Sequence, residues 1–256
     1  MENDHYQIIP AERQNLILET IRRDKAANVS NLAKKFFVNE ATVRRDLNLL
    51  EKKGLIRRAY GGAVLIEGLD NEIPLFVRET ANKDAKDLIA QTAADFVRDG
   101  DLLILDSSST TMRMIPFLEG KKGLKIITNG AKTSVLLSKL NDCRIYCTGG
   151  ALRENSLSFI GNAANTFINE FYADAAFFSC RGLSLETGLT DSNEGEAALR
   201  KLMLKNSRKS FLLIDSTKFD KSNFHKIAEI ADIYKIITEK NPGPEWAEHL
   251  KNKLIY

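Results

Sequence analysis

The sequence has little with which to build several specialised classes of protein. It holds three cysteines, Cys143, Cys147 and Cys180. An odd and sparse count argues against a disulfide framework. It holds three histidines, His5, His225 and His249, none at ligand spacing from the cysteines. No metal site and no other cofactor is expected from that set. Cys143 and Cys147 fall on one face of a predicted strand, and buried core thiols are the expectation. No apolar run approaches the roughly 20 residues of a membrane helix. The opening MENDHYQIIPAER is acidic and polar, without the apolar segment of a signal peptide. The expected location is the cytoplasm, with no membrane partner. Internal repeats and low-complexity tracts are also lacking.

What is present is ordinary in amount and uneven in placement. The 256 residues suit a small domain followed by a medium one, and 43% hydrophobic content is enough for a buried core. Residues 1–65 hold twelve Lys and Arg against eight Asp and Glu, whereas the remainder is almost balanced. Within 34–58 there are eight basic residues against three acidic ones. Such a local excess suits a polyanionic partner, although charge alone fits a solvated helix face equally well.

The first 65 residues read as helices with tight turns. Residues 11–24 carry one stripe of Leu16, Ile17, Thr20 and Ile21, with Pro10 near the start. Ser30 is the expected N-cap of a short helix over 31–36. A third helix is predicted from Glu40 to Lys53, stopping at Gly54. Val43, Leu47 and Leu50 share its buried side, and Ala41, Thr42, Arg44, Arg45 and Asn48 occupy the opposite arc. Leu55–Arg58 is then extended, and Tyr60–Leu65 reads as a glycine turn and a return strand, which together make a hairpin. Two short helices, an outward Arg-rich helix and a hairpin make a winged helix-turn-helix. The predicted division is a DNA-binding domain at 8–65, a linker at 66–80 and a second domain at 81–256. In the linker, Pro74–Arg78 is expected to begin docking on the second domain.

From residue 83 helices alternate with short, continuously apolar strands at 102–106, 125–128, 144–150, 175–180, 210–215 and 234–238. That alternation predicts an α/β fold with a mostly parallel sheet covered on both faces. At Asp106-Ser107-Ser108-Ser109-Thr110-Thr111 a strand ends, and a helix is expected near Thr111. Hydroxyls and backbone N–H groups at such a turn, on the carboxyl edge of a parallel sheet, form an anion site. A helix start capped without any ligand is the plainer alternative.

The segment ATVRRDLNLLEKKGLIRRAYGGA, residues 41–63, resembles the signature of the DeoR family of transcription regulators. More than ten positions agree within this 23-residue window. The resemblance implies that Thr42, Arg44, Arg45 and Asn48 meet double-stranded operator DNA through the recognition helix, with Arg57 and Arg58 gripping the backbone from the wing. Asp46 is expected to bond Arg45 or a nearby backbone donor. The resemblance continues into the second domain. There it implies a sugar-phosphate sensor with the fold of ribose-5-phosphate isomerase. The implied effector residues are Asp106, Ser107, Ser108, Ser109, Thr110, Thr111, Thr128, Asn129, Gly149, Gly150, Asp215 and Lys218. Ser108 stands where family members often carry glycine. Arg181, Asp191, Asn193 and Glu194 are weaker candidates for the same pocket, because acids before a helix are commonly caps.

The resemblance thus implies a regulator, probing carbohydrate supply through a phosphorylated sugar, acting as a repressor and a homo-oligomer. An enzyme of sugar-phosphate isomerisation or deamination is the competing class. Its carboxylates would be Asp191, Glu194 and Glu196, each explained as a cap or first-turn acid of a helix over 194–206. No catalytic residue is therefore assigned. RNA binding is a third class, but Glu40–Lys53 offers no aromatic for base stacking.

Overall fold

The apolar stripe near the start closes as helix α1 (Pro10–Asp24), burying Ile17, Leu18 and Ile21 completely. The computed structural model describes residues 9–24, 26–53, 55–65 and 74–256, and the chain divides into two units between Ala81 and Asn82. In the first unit, α1 leads through a short strand β1 (Ala26–Asn28) into α2 (Val29–Lys35) and α3 (Glu40–Lys52). The cap of α2 is Asn28, not Ser30: Asn28 Oδ1 accepts the Asn31 N–H at 2.8 Å. Ser30 sits in the first turn and donates its hydroxyl to the same oxygen. Asn39 caps α3, accepting the Thr42 N–H at 2.8 Å. The expected stop at Gly54 lies outside the described residues.

Strands β2 (Ile56–Ala59) and β3 (Gly62–Leu65) form the wing, with the sheet order β1-β3-β2. A β-carbon on Gly62 would lie 2.3 Å from the Ala27 carbonyl oxygen, so only glycine allows this approach of β3 to β1. The 66–80 linker is only partly described. Residues 75–80 form a helix, α4 (Leu75–Thr80), which packs on α1 with Val77 buried in the N-terminal core. Asn15 Nδ2 donates to the Val77 carbonyl at 3.4 Å. This segment thus packs within the first unit, unlike the expected docking of Pro74–Arg78 on the second domain. Leu75 and Val77 supply the apolar contacts that a free linker would lack.

The turn between α2 and α3 holds Phe37 at φ 54°, with its side chain 92% exposed. A bulky residue in left-handed backbone is strained, and here no packing offsets it. Phe37→Gly is expected to stabilise this unit by about 0.5–1 kcal/mol. Denaturant unfolding checks it, with Phe37→Ala as the control that keeps the β-carbon and should show no such gain.

The second unit runs α5 (Lys83–Ala94), β4 (Leu102–Leu105), β5 (Leu124–Thr128), α6 (Ala131–Leu137) and β6 (Cys143–Cys147). A hairpin of β7 (Ala151–Arg153) and β8 (Ser158–Ile160) precedes α7 (Asn162–Asn169) and β9 (Ala175–Phe178). Then come β10 (Gly182–Ser184), β11 (Gly188–Asp191), α8 (Glu194–Lys205), β12 (Ser210–Leu213) and β13 (His225–Ala228). The chain closes with β14 (Lys235–Ile237), α9 (Pro244–Leu250) and β15 (Leu254–Ile255). The seven-stranded sheet has the order β15-β14-β12-β9-β4-β5-β6, and each neighbouring pair is parallel.

Alternation along the strands feeds two cores. Leu103 and Leu105 pack with Ile89, Ile126, Phe177 and Phe211 on one face. Ile104 packs with Ile127, Ala176, Leu199 and Met203 on the other. From β4 the chain adds β5 and β6 toward one edge, then crosses to β9 and adds β12, β14 and β15 toward the other. The strand order thus reverses direction between β4 and β9, and such a switch point is where ligands of parallel sheets commonly bind. The predicted helix at Thr111 is a 3-10 helix, Thr111–Leu118, with Pro116 inside it. An α-helix here would bring the Pro116 ring against the carbonyl four residues earlier. Among the described residues, no helix is long and apolar enough to cross a membrane.

Candidate functional sites

The outward arc of α3 is formed as the helical periodicity requires. Arg44, Arg45 and Asn48 are exposed, and Val43, Leu47 and Leu50 are buried beneath them. Arg44 Nη2 pairs with Glu40 Oε2 at 2.8 Å on the surface, an interaction easily exchanged for another anion. Arg45 and Asn48 have no side-chain partner among the described residues. Thr42 differs from the expectation of free donors at the helix start. Its N–H and its hydroxyl both bond Asn39 Oδ1, at 2.8 and 2.9 Å. On the wing Arg57 is exposed. Arg58 is half-buried, with its Nη1 buried and without a hydrogen-bond partner, and its N–H donates to Glu51 Oε1 at 2.7 Å.

Asp46 does not bond Arg45. It is 3% exposed and faces α1, accepting from Arg13 Nε at 2.6 Å and Gln14 Nε2 at 3.1 Å. Its place on α3 beside Leu47 turns it away from the Arg face, so it locks the recognition helix to α1.

In the second unit the loop after β4 is organised by Asp106. One carboxylate oxygen accepts the Ser108 N–H at 3.0 Å and the Thr111 hydroxyl at 2.7 Å. The other accepts the Ser179 N–H at 3.1 Å and Arg200 Nε at 3.0 Å. Ser108 Oγ lies 2.9 Å from the Thr111 hydroxyl and accepts the Thr111 N–H. Ser108 and Thr111 therefore hold the loop from within. The hydroxyls of Ser107, Ser109 and Thr110 have no hydrogen-bond partner among the described residues.

The other expected residues sit on the same sheet edge with different duties. Thr128 Oγ1 accepts the Gly130 N–H at 3.0 Å. Asn129 receives the Phe159 N–H on its carbonyl at 2.7 Å and donates Nδ2 to the Phe159 carbonyl at 3.2 Å. This pair seats the β7–β8 hairpin over β5, and leaves Asn129 Oδ1 buried without a partner. Gly149 and Gly150, at φ 64° and 114°, turn the chain from β6 into that hairpin. Asp215 lies two residues beyond β12 and accepts the Thr217 N–H at 3.1 Å and Asn82 Nδ2 at 3.2 Å. The Lys218 ammonium makes no hydrogen bond or ion pair among the described residues. Burial pushes its pKa below the ordinary 10.5, and Arg181 and Lys221 lower it further, against the pull of Asp215. Cys180 lies beneath, its thiol pushed up to about 12 by burial and by Asp191. Cys143 is half-buried and Cys147 exposed, so the expectation of core thiols holds for Cys180 and fails for Cys147. As an end residue of an edge strand, Cys147 has no further strand to cover it.

Sequence reasoning passed over the largest feature of the site, a buried charge cluster. Arg200, 6% exposed, reaches Asp106, Asp191 Oδ2 at 2.8 Å and Glu196 Oε2 at 3.4 Å. Arg153 pairs with Glu196 Oε1 at 3.1 Å, and the Ser158 hydroxyl donates to the same oxygen. Burial alone would lower the Arg200 pKa, but Asp191, Glu196 and Asp106 raise it overall. The N-cap of α8 is Asn193, so Glu196 is a buried ion-pair partner as well as a first-turn acid. A signal was available: Glu196 and Arg200 share the helix face of the apolar Met203. Among the described residues no group of three or more His, Cys, Asp or Glu is placed to hold a metal.

Comparison with known proteins bears directly on both units. The sequence profile of the DeoR-like helix-turn-helix domain matches residues 13–68, and that of the DeoR C-terminal sensor domain matches residues 81–240. The chain belongs to the DeoR family. It is 37% identical over 248 residues to the HTH-type transcriptional regulator YulB of Bacillus subtilis strain 168, covering 97% of this chain and 96% of that one. It is 29% identical to a putative aga operon transcriptional repressor of Escherichia coli O157:H7, over 94% of this chain and 90% of that one. An L-fucose operon activator of Haemophilus influenzae strain Rd is 30% identical, over 90% and 92%. This DeoR-family protein is a DNA-binding transcription regulator, and its relatives are named as regulators, not enzymes. Among solved structures, ribose-5-phosphate isomerase A of Neisseria gonorrhoeae overlaps 54% of this chain and 53% of that one, at 17% identity and a TM-score of 0.40.

Proposed function

We propose that this regulator represses a carbohydrate-utilisation operon in the cytoplasm, and that a phosphorylated sugar on the carboxyl edge of its large sheet controls its hold on operator DNA. Relatives named for the aga and L-fucose operons support the sugar connection. The observation that carries the reading is the set of buried, unpartnered hydroxyls on Ser107, Ser109 and Thr110, in the loop after β4 where the strand order of the sheet reverses. These three groups donate to the effector, while Asp106, Ser108 and Thr111 keep the loop in shape. Lys218, two strands away, supplies the cation. Strands lie about 4.8 Å apart, so the ends of β4 and β12 are separated by roughly 10 Å, the length of a pentose or hexose phosphate. Thr128, Asn129, Gly149 and Gly150 shape the wall through the hairpin. On the DNA side, Arg44, Arg45 and Asn48 read the major groove, Arg57 and Arg58 hold phosphates, and Thr42 steadies the helix start. The active species is a homo-oligomer, and the effector works by preferring one arrangement of its DNA-binding units.

The test is fluorescence anisotropy on duplex DNA from upstream of the protein's own gene, at two salt concentrations and with a panel of sugar phosphates. Tight, salt-sensitive binding weakened by one sugar phosphate is expected. Binding with no response to any of them would overturn the effector assignment, and effector-strengthened binding would overturn release by the sugar. Lys218→Ala is expected to abolish the response with DNA affinity unchanged, and Arg44→Ala to relax sequence preference by about 1–3 kcal/mol. Effector affinity should also fall as pH rises through a Lys218 pKa lying below 10.5, because the cation is lost there. A response in Lys218→Ala equal to wild type would remove this residue from the pocket.

A further inference from the structure

We propose that Tyr60, at the tip of the wing, lays its ring on the sugar-phosphate backbone of bound duplex DNA as a sequence-independent contact. The inference rests on the DNA-binding role of the N-terminal unit. Tyr60 has a relative exposure of 110%, as open as a residue in an isolated peptide. It makes no hydrogen bond or ring contact among the described residues. The wing therefore holds a large aromatic surface in water without using it for folding.

The backbone under that ring is fixed. The turn has only two residues between the paired Ala59 and Gly62, with Gly61 at φ 72°. The Gly61 carbonyl accepts the Val29 N–H at 2.8 Å, which ties the turn to the first residue of α2. Gly62 lies against Ala27 so closely that no side chain fits between them. Glu51 Oε1 accepts the Arg58 N–H, which ties β2 to α3. A short arm rooted in both helices of the helix-turn-helix holds the tyrosine at a set distance from the recognition helix. An ordered anchor presenting an unused aromatic is the arrangement found at binding contacts.

The surroundings select the occupant. Arg57 is exposed on the same hairpin, and Lys52 is exposed at the end of α3. A polyanion meets these charges, whereas an apolar protein groove would have to desolvate them. Deoxyribose offers apolar C–H faces between phosphates, so the ring covers the sugar while Arg57 meets the phosphate.

The experiment uses the full chain and 30-base-pair duplexes that the wild-type protein selects from a random-sequence library, with a scrambled duplex beside them. Tyr60→Ala is expected to bind both duplexes about tenfold more weakly, leaving their affinity ratio and the melting temperature unchanged. The salt slope should also stay, because no charge is removed, whereas Arg57→Ala should reduce it by about one phosphate contact. Tyr60→Phe keeps the ring and should bind within about twofold of wild type. Equal binding by wild type and Tyr60→Ala overturns the proposal. So does a loss confined to the selected duplex, which is base reading, or a loss in Tyr60→Phe as large as in Tyr60→Ala, which is a hydroxyl contact. A change of oligomeric state at unchanged DNA affinity assigns the ring to a protein surface and overturns it too. A wild-type chain that selects no duplex overturns the DNA-binding reading together with this one.

Discussion

Arg200→Met is expected to destabilise the C-terminal unit by about 3–5 kcal/mol, the range found when one partner is removed from a buried ion pair. The guanidinium is 6% exposed and touches carboxylates from three separate elements. Asp106 follows β4, Asp191 ends β11 and Glu196 lies on α8. Methionine fills much of the same volume but leaves those negative charges without their shared cation. Repulsion among them then acts on the loop after β4, since Asp106 also holds the Ser108 and Ser179 N–H groups. Effector binding should weaken with stability, although Arg200 itself is a support for the loop.

The pH dependence separates this account from simple loss of packing. In the variant, protonating a carboxylate removes buried negative charge, so stability should rise as the pH falls toward the carboxylate range and be lost again on return to neutrality. A packing defect has no such dependence. Arg200→Lys restores the charge but is expected to recover only part of the loss, because one ammonium cannot span three carboxylates as a planar fork does. Calorimetry of the full chain resolves the outcome if the transition of the second unit is followed by itself. A melting temperature within a degree of wild type at neutral pH would show that the cluster adds nothing to the fold.

What could be read from residues alone follows from the range of the interactions. The stripe of α1, the two faces of α3 and the apolar strands β4, β5, β9, β12 and β14 are local patterns, visible because burial repeats with helix or strand period. The small antiparallel sheet β10-β11-β13 was not legible. Its strands are short, and Gly182–Ser184 and His225–Ala228 carry no clean alternation of apolar and polar residues. Helix α4 was hidden for a related reason: six residues are too few for a period, and their order comes from Asn15 and the N-terminal core. The strand-end loop at Asp106 was visible as an anion site by composition. Which of its hydroxyls are occupied was not, because Asp106, Ser179 and Arg200 meet only in the folded sheet. Glu196 shows the limit well. Its position at the start of α8 explains it locally, and its partner Arg153 lies 43 residues earlier.

Asp46 carries the same lesson into the DNA-binding unit, and its replacement is the second change expected to be severe. Asp46→Ala should cost the N-terminal unit about 3–5 kcal/mol. The side chain accepts from Arg13 and Gln14, both on α1 and both less than a tenth exposed. Alanine removes the carboxylate that neutralises a buried guanidinium, and nothing in its small side chain can answer the Gln14 donor. Asp46→Asn keeps the shape and an acceptor oxygen but removes the charge, so its loss should lie between wild type and alanine. The second unit does not share this contact, and its transition should stay where it is. DNA affinity should fall in proportion to the unfolded fraction of the first unit. It should return on cooling toward the temperature of maximum stability, because Arg44, Arg45 and Asn48 are untouched. Hydrogen exchange on α1 and α3 measures the opening directly. Protection unchanged in Asp46→Ala, with DNA binding lost, would instead place the carboxylate among the groups that act on DNA and overturn the locking role.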